Sequence, residues 1–168
     1  MVKRDFEFVL ELTTEFFSQE YIAKRMSLIQ SKEISGWEIW LQVEFAMFLE
    51  AHISVDQWLR EFQYSMDMRS SKKQTYMAID FLVRKKRARL EQYIAIEIKQ
   101  NKSPASCING MMKDVCKISL VKGSEDDIRS MWSLGIHSFL PQDDVENLVN
   151  KYADEYNVEL ATNCIQSK

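Results

Sequence analysis

The chain is poor in the residues that break or crosslink a fold. Four glycines and two prolines in 168 residues argue against collagen-like, linker-rich or low-complexity architecture. No internal repeat is present. The three cysteines, Cys107, Cys116 and Cys164, are odd in number and lack metal-type spacing, which suits a reducing compartment better than a disulfide framework. Two histidines, His52 and His137, are too few for a Cys/His zinc site. No window approaches the ~18 uninterrupted apolar residues of a membrane span. The N-terminal stretch "MVKRDFEFVLELTTEFF" lacks the continuous apolar run of a signal peptide, because Glu7, Glu11 and Glu15 interrupt it. These absences predict a cytoplasmic protein.

What remains is an ordinary globular composition, 46% apolar and 28% charged. A chain of 168 residues is long enough to bury one substantial core, so a single domain over 1–168 is expected. The net charge of −3 gives no global pull toward nucleic acid. One local exception stands in "RKKRARLEQ", where Arg84, Lys85, Lys86, Arg87 and Arg89 place five cations in six positions. Such a run is either a solvated turn or a grip on a phosphate backbone.

Periodicity orders the elements. Residues 5–30 carry a helical stripe of Phe6, Val9, Leu10, Phe16, Phe17, Ile22, Met26 and Ile29, with Ser18 as a break. Ser35 reads as a helix N-cap for "WEIWLQVEFAMFLEAH", in which Trp37, Trp40, Leu41, Phe45 and Phe48 form the core-facing stripe. Glu44 occupies the i+7 place of that stripe, where a carboxylate is costly to bury without compensation. "SVDQWLREFQYSM", "TYMAIDFLV" and "YIAIEIKQ" read as three strands of an antiparallel meander. A helix follows with Ser103 as cap and Pro104 in its first position, then a strand over 131–139, a helix over 142–156 and a short last strand over 158–165. The fold expected is a mixed α/β (α+β) sheet flanked by helices, with an N-terminal helical extension at 1–34, a core at 35–140 and a C-terminal helix and strand at 141–168.

Alternation along the strands places the polar residues. Asp80 shares a face with Ala78 and Leu82, while Met77, Ile79, Phe81 and Val83 take the other. Glu97 and Lys99 share a face with Tyr93 and Ala95, opposite Ile94, Ile96 and Ile98. If these two strands pair about a centre near Ala88 and Arg89, Asp80 falls opposite Glu97. Opposed residues on one face have Cβ atoms about 4.5–5.5 Å apart, close enough for two carboxylates to share a divalent cation that relieves their repulsion. Hard oxygen donors favour Mg²⁺ or Mn²⁺. Lys99 would then orient a metal-activated water or steady charge on a phosphate, with Glu44 as a third oxygen. Asp114 and Lys117 read as a solvent-exposed i, i+3 pair.

Glu44 on a helix, Asp80 in "AIDFLV" and Glu97-Ile98-Lys99 in "AIEIKQ" resemble the active-site pattern of the PD-(D/E)XK nuclease superfamily, the restriction-endonuclease-like fold. The resemblance extends over about residues 35–139 and its αβββαβ order. Ile79 stands where the motif names proline, and no target-recognition module accompanies the core. The resemblance implies a Mg²⁺-dependent nuclease hydrolysing nucleic acid, DNA first, of bacterial or phage defence or mobile-element type. In it Asp80 and Glu97 are metal ligands, Lys99 is the catalytic lysine and Glu44 the helix acid. The rival expectation, favoured by the acidic net charge, is a non-catalytic immunity or inhibitor protein on the same fold. A third is a subunit of a defence complex, or a homodimer, joined through residues 5–30.

Overall fold

Two amphipathic helices open the chain. In the computed structural model, which describes residues 2–65, 76–90, 92–118 and 128–158, these are α1 (Val2–Ser18) and α2 (Glu20–Ser31). They part at Ser18, as the sequence implies; its hydroxyl donates to the Glu15 carbonyl at 2.8 Å, a local bond that competes with helix continuation. Phe8, Leu12, Phe16 and Ile22 are fully buried. The apolar stripe of these helices therefore covers the chain's own core.

The third helix, α3 (Glu38–Ala51), begins later than a cap at Ser35 would have it. Trp37 sits at the cap without a side-chain bond, after Gly36 turns the backbone at φ +74°. Trp37, Leu41, Phe45 and Leu49 form its buried row. The Phe45 ring meets Phe16 and Phe81 edge-on at 5.1 and 5.3 Å, an arrangement that aromatic quadrupoles favour.

Strands β1 (Val55–Ser65), β2 (Tyr76–Lys85), β3 (Tyr93–Gln100) and β4 (Ile128–Ile136) form one mixed sheet in the order β1-β2-β3-β4. The first three are antiparallel neighbours, and β4 runs parallel to β3. A parallel pair needs a long crossover, supplied here by α4 (Pro104–Ile118). Its start follows the sequence: the Ser103 hydroxyl accepts the Ser106 N–H at 3.3 Å, and Pro104 takes the first helical position. A last helix, α5 (Gln142–Tyr156), lays Val145 and Val149 on Ile108 and Met112 of α4. From α3 to β4 the order is αβββαβ. β4 begins three residues before the expected 131–139. The last strand expected over 158–165 lies, beyond Val158, outside the described residues.

The sheet has two unlike faces. Phe81, Val83, Ile94, Ile96 and Ile98, with Trp132, Leu134 and Ile136, join the core made with α1, α2 and α3. Leu82, Tyr93, Ala95 and Met131 lie in a second cluster. Met77 and Ile79 belong to that second cluster, not with Phe81 and Val83 as simple alternation has it. The break falls at Asp80, level with Glu61 of β1, whose φ is +53°. On the second face α4 lies very close: a methyl at Gly135 of β4 would stand 2.3 Å from Met111 Sδ and 3.2 Å from Cys107 Sγ.

Candidate active site

The β2–β3 register is Phe81–Ile96, Leu82–Ala95 and Val83–Ile94. One step further along it, Asp80 stands against Glu97, as the sequence implies. There side chains take over from the backbone ladder. The Ile98 N–H donates to Asp80 Oδ2 at 2.8 Å, and the Asp80 N–H lies 3.4 Å from Glu97 Oε1. β3 continues to pair with β4 as far as Gln100–Ile136. The acid pair thus marks the place where β2 leaves β3.

Glu97 is 8% exposed. Burial pushes its carboxyl up to about 8, with the charges of Asp80 and Asp114 adding to the effect. Burial raises Asp80 as well, against the pull of the Ile98 N–H and of its hydrogen bond with Glu97. Near neutral pH the two carboxyls therefore titrate as one unit that retains a proton. Beside Glu97 on β4 is its register partner Ser133, whose Oγ is buried and has no hydrogen-bond partner among the described residues.

Lys99 lies on the same face and is held by α4. Its Nζ is 2.7 Å from Asp114 Oδ2, while Asp114 Oδ1 accepts from Lys117 Nζ at 2.9 Å. The Asp114–Lys117 pair expected in solvent exists, but Asp114 is 7% exposed and holds Lys99 too. Burial works to raise the Asp114 carboxyl, and its close contacts with Lys99 and Lys117 overcome it, leaving the pKa lowered. Burial likewise works to lower Lys99; its close pairing with Asp114 and the charges of Asp114, Glu38 and Glu97 outweigh it and raise the pKa. Lys99 is an ammonium.

Glu44 is not brought to this cluster. Its carboxylate pairs with Arg25 of α2 and accepts from Trp40 Nε1 at 3.0 Å. The compensation that its place in the stripe demands comes from a neighbouring helix, a partner that spacing within one helix does not reveal. The acid that α3 does send toward Lys99 is Glu38, in its first turn. Glu38 Oε2 accepts the Gln100 N–H at 3.2 Å. An acid there reads from sequence as a helix-dipole partner, so Glu38 gave no distinct signal. Asp114 had one in retrospect, a glycine one helical turn before it.

The cations of the β2–β3 connection divide. Arg84 is buried, 2.6 Å from Asp56 Oδ2, donating to the Leu90 carbonyl at 3.1 Å and lying over the Tyr93 ring. It fastens the turn. Lys85 stacks over Phe8 at 4.8 Å, and Lys86, Arg87 and Arg89 are exposed. From Asp80 to Lys85 the strand advances ~3.3 Å per residue, or about 17 Å.

Among the described residues, no group of three or more His, Cys, Asp or Glu side chains converges as a metal cluster. No helix among them is long and apolar enough to cross a membrane. No family model matches the chain, and no curated protein or solved structure matches it.

Proposed function

We propose that this chain hydrolyses phosphodiester bonds of nucleic acid, DNA first, with the help of Mg²⁺ or Mn²⁺, as its resemblance to the PD-(D/E)XK nucleases implies. The observation that carries the proposal is the Asp80–Glu97 pair. A buried carboxyl, Glu97, in hydrogen-bond contact with a half-buried one, Asp80, and lifted to about 8, makes a hard-oxygen site that requires either a proton or a cation. The Ser133 hydroxyl beside Glu97, without a hydrogen-bond partner among the described residues, adds another oxygen to the site. Mg²⁺ is commonly held by one or two carboxylates, with water and phosphate oxygens filling its shell, so two acids suffice.

Asp80 and Glu97 would hold the ion in place of their shared proton. Bound there, it would supply Lewis acidity toward the phosphate and acidify a water ligand. Lys99 stays protonated, because Asp114, Glu38 and Glu97 together outweigh its burial. It therefore serves as a hydrogen-bond donor and positive charge for the phosphate oxygens on which charge grows, and not as the base. Glu38 fixes the end of β3 through the Gln100 N–H. Lys85, Lys86, Arg87 and Arg89 would contact the phosphate backbone about 17 Å from the acid pair, roughly five nucleotide steps along one strand. Arg84 takes no part in that contact.

Purified protein with Mg²⁺ or Mn²⁺ is expected to cut at least one of single-stranded, duplex or structured nucleic acid, and Asp80→Ala to abolish the cleavage. If every substrate stays intact, or the variant cuts equally well, the proposal fails. A non-catalytic immunity or inhibitor protein then becomes the leading interpretation.

A further inference from the structure

The lysine of the candidate site is held by an element other than its own strand. Its stem crosses α4 at Gly110, where an added Cβ would stand 3.3 Å from Lys99 Cδ, 3.4 Å from Cγ and 3.5 Å from Cε. One turn later, Asp114 takes the ammonium at 2.7 Å. Positions i and i+4 lie on one side of a helix, so α4 offers a groove with bare backbone for the stem and a carboxylate for the head. Asp114 is itself buried, and its other oxygen is braced by Lys117 at 2.9 Å. With an ion pair to Lys99 at Oδ2, which accepts no well-angled hydrogen bond among the described residues, and a hydrogen bond from Lys117 at Oδ1, Asp114 differs from Asp80 and Glu97, whose carboxyls meet each other and backbone amides. A simple solvent pair between Asp114 and Lys117 would need neither the burial nor the glycine.

A lysine stem is flexible, with an ammonium that is a freely placed point charge. Hydrolysis tolerates little of that freedom, since a misplacement of about 1 Å can cost on the order of 10²-fold in rate. We infer that Asp114, with Gly110 under the lysine stem, is a positioning residue that fixes the Lys99 ammonium on the sheet face carrying the Asp80–Glu97 pair. The inference rests on the hydrolytic role proposed for Lys99.

Two variants test it. Asp114→Asn keeps the shape and removes the charge; kcat is expected to fall by about 10- to 100-fold, with KM for the nucleic acid nearly unchanged at saturating Mg²⁺. Gly110→Ala crowds the stem while installing a better helix former. It is expected to melt no lower than the parent and still lose kcat several-fold, a split that a merely structural role would not produce. Should Asp114→Asn fail to fold, Gly110→Ala carries the test alone.

If the parent chain hydrolyses nothing, the proposed function fails, and the inference is read on the lysine itself. Reductive ¹³C-methylation gives each lysine an NMR signal, with Lys99 assigned through Lys99→Arg. A Lys99 signal set apart from the solvent lysines, or protection from methylation, that is lost in Asp114→Asn supports the clamp. A signal coincident with solvent lysines in the parent overturns it, as does an unchanged kcat in both variants of an active enzyme.

Discussion

On the side of β2 and β3 that meets α1 and α3, Phe81, Val83, Ile94, Ile96 and Ile98 are buried against Phe8, Leu12, Phe16 and Phe45. On the side that meets α4, the same two strands carry Asp80, Glu97 and Lys99 among Leu82, Tyr93 and Ala95. Both faces are largely shut off from water, yet burial acts on them with opposite sign. Each large apolar side chain removed from water contributes about 1.5–3 kcal/mol, whereas a buried carboxylate is disfavoured unless it is paired or protonated. The contrast teaches that the first face stabilises a sheet on which the second can keep groups that solvent would otherwise quench. Stability and chemistry are separated by half the period of a strand, one residue.

The sharpest way to pull the two faces apart is Glu97→Gln. Metal-dependent cleavage should fall by about 10²-fold or more, while melting at pH 8 should move upward, because an amide replaces a carboxyl whose anion burial disfavours. A variant that melts lower than the parent at pH 8 would break the comparison. The mirror experiment is Phe45→Ala, which should cost about 3–5 kcal/mol in denaturant titrations and leave Mg²⁺ affinity of the folded protein unchanged.

A pH series sharpens the contrast further. The Glu97 carboxyl is raised from its ordinary 4.5 to about 8 by burial and then by Asp80 and Asp114, so the folded state binds a proton that the unfolded state has already lost. The stabilisation is full below about 4.5 and disappears as pH rises through about 8. Unfolding free energy of the metal-free chain should therefore decline across that window, and Glu97→Gln should flatten the decline. Asp80, raised in the same direction, adds to it. Mg²⁺ added at pH 7 should release protons, measurable by calorimetry in buffers of different ionisation enthalpy.

The smallest effect belongs to Glu44→Gln. Its partner Arg25 has a half-exposed side chain, and pairs of that kind contribute about 1 kcal/mol or less. Cleavage should stay within about twofold of the parent, the variation expected of a residue away from the reacting groups. A tenfold loss would return Glu44 to the site.

The residues legible in the sequence are those set by short-range rules. The period of two in β3 and the midpoint of the β2–β3 connection suffice to bring Asp80 to Glu97, and Ser103-Pro104 suffices to start α4. What stayed hidden depends on how layers pack. Glu44 looked like the helix acid because nothing within its own helix discloses Arg25, nineteen residues away. Asp114 looked like a surface residue, and Glu38 gave no signal, because their neighbours, Lys99 and Gln100, belong to another layer. The run of cations read as one patch, although Arg84 points inward at a strand end where Asp56 waits on the adjacent strand. The misplacement of Met77 and Ile79 has a different origin, a backbone irregularity near Asp80 and Glu61 that no residue type announces.

Gly135 has a consequence for how this chain can drift over evolutionary time. With Met111 Sδ 2.3 Å and Cys107 Sγ 3.2 Å from where a side chain would begin, even a methyl group would act as a wedge between sheet and helix. Its neighbours Leu134 and Ile136 face the apolar core, where aliphatic residues of similar volume exchange at small cost. Gly135 has no such alternatives. The wedge would lift α4 near Gly110 and three residues before Asp114, so a change on β4 without any polar contact would unseat Lys99. Selection on the lysine is therefore felt at a position that carries no side chain, and the most restricted site in this strand is the one that displays the least.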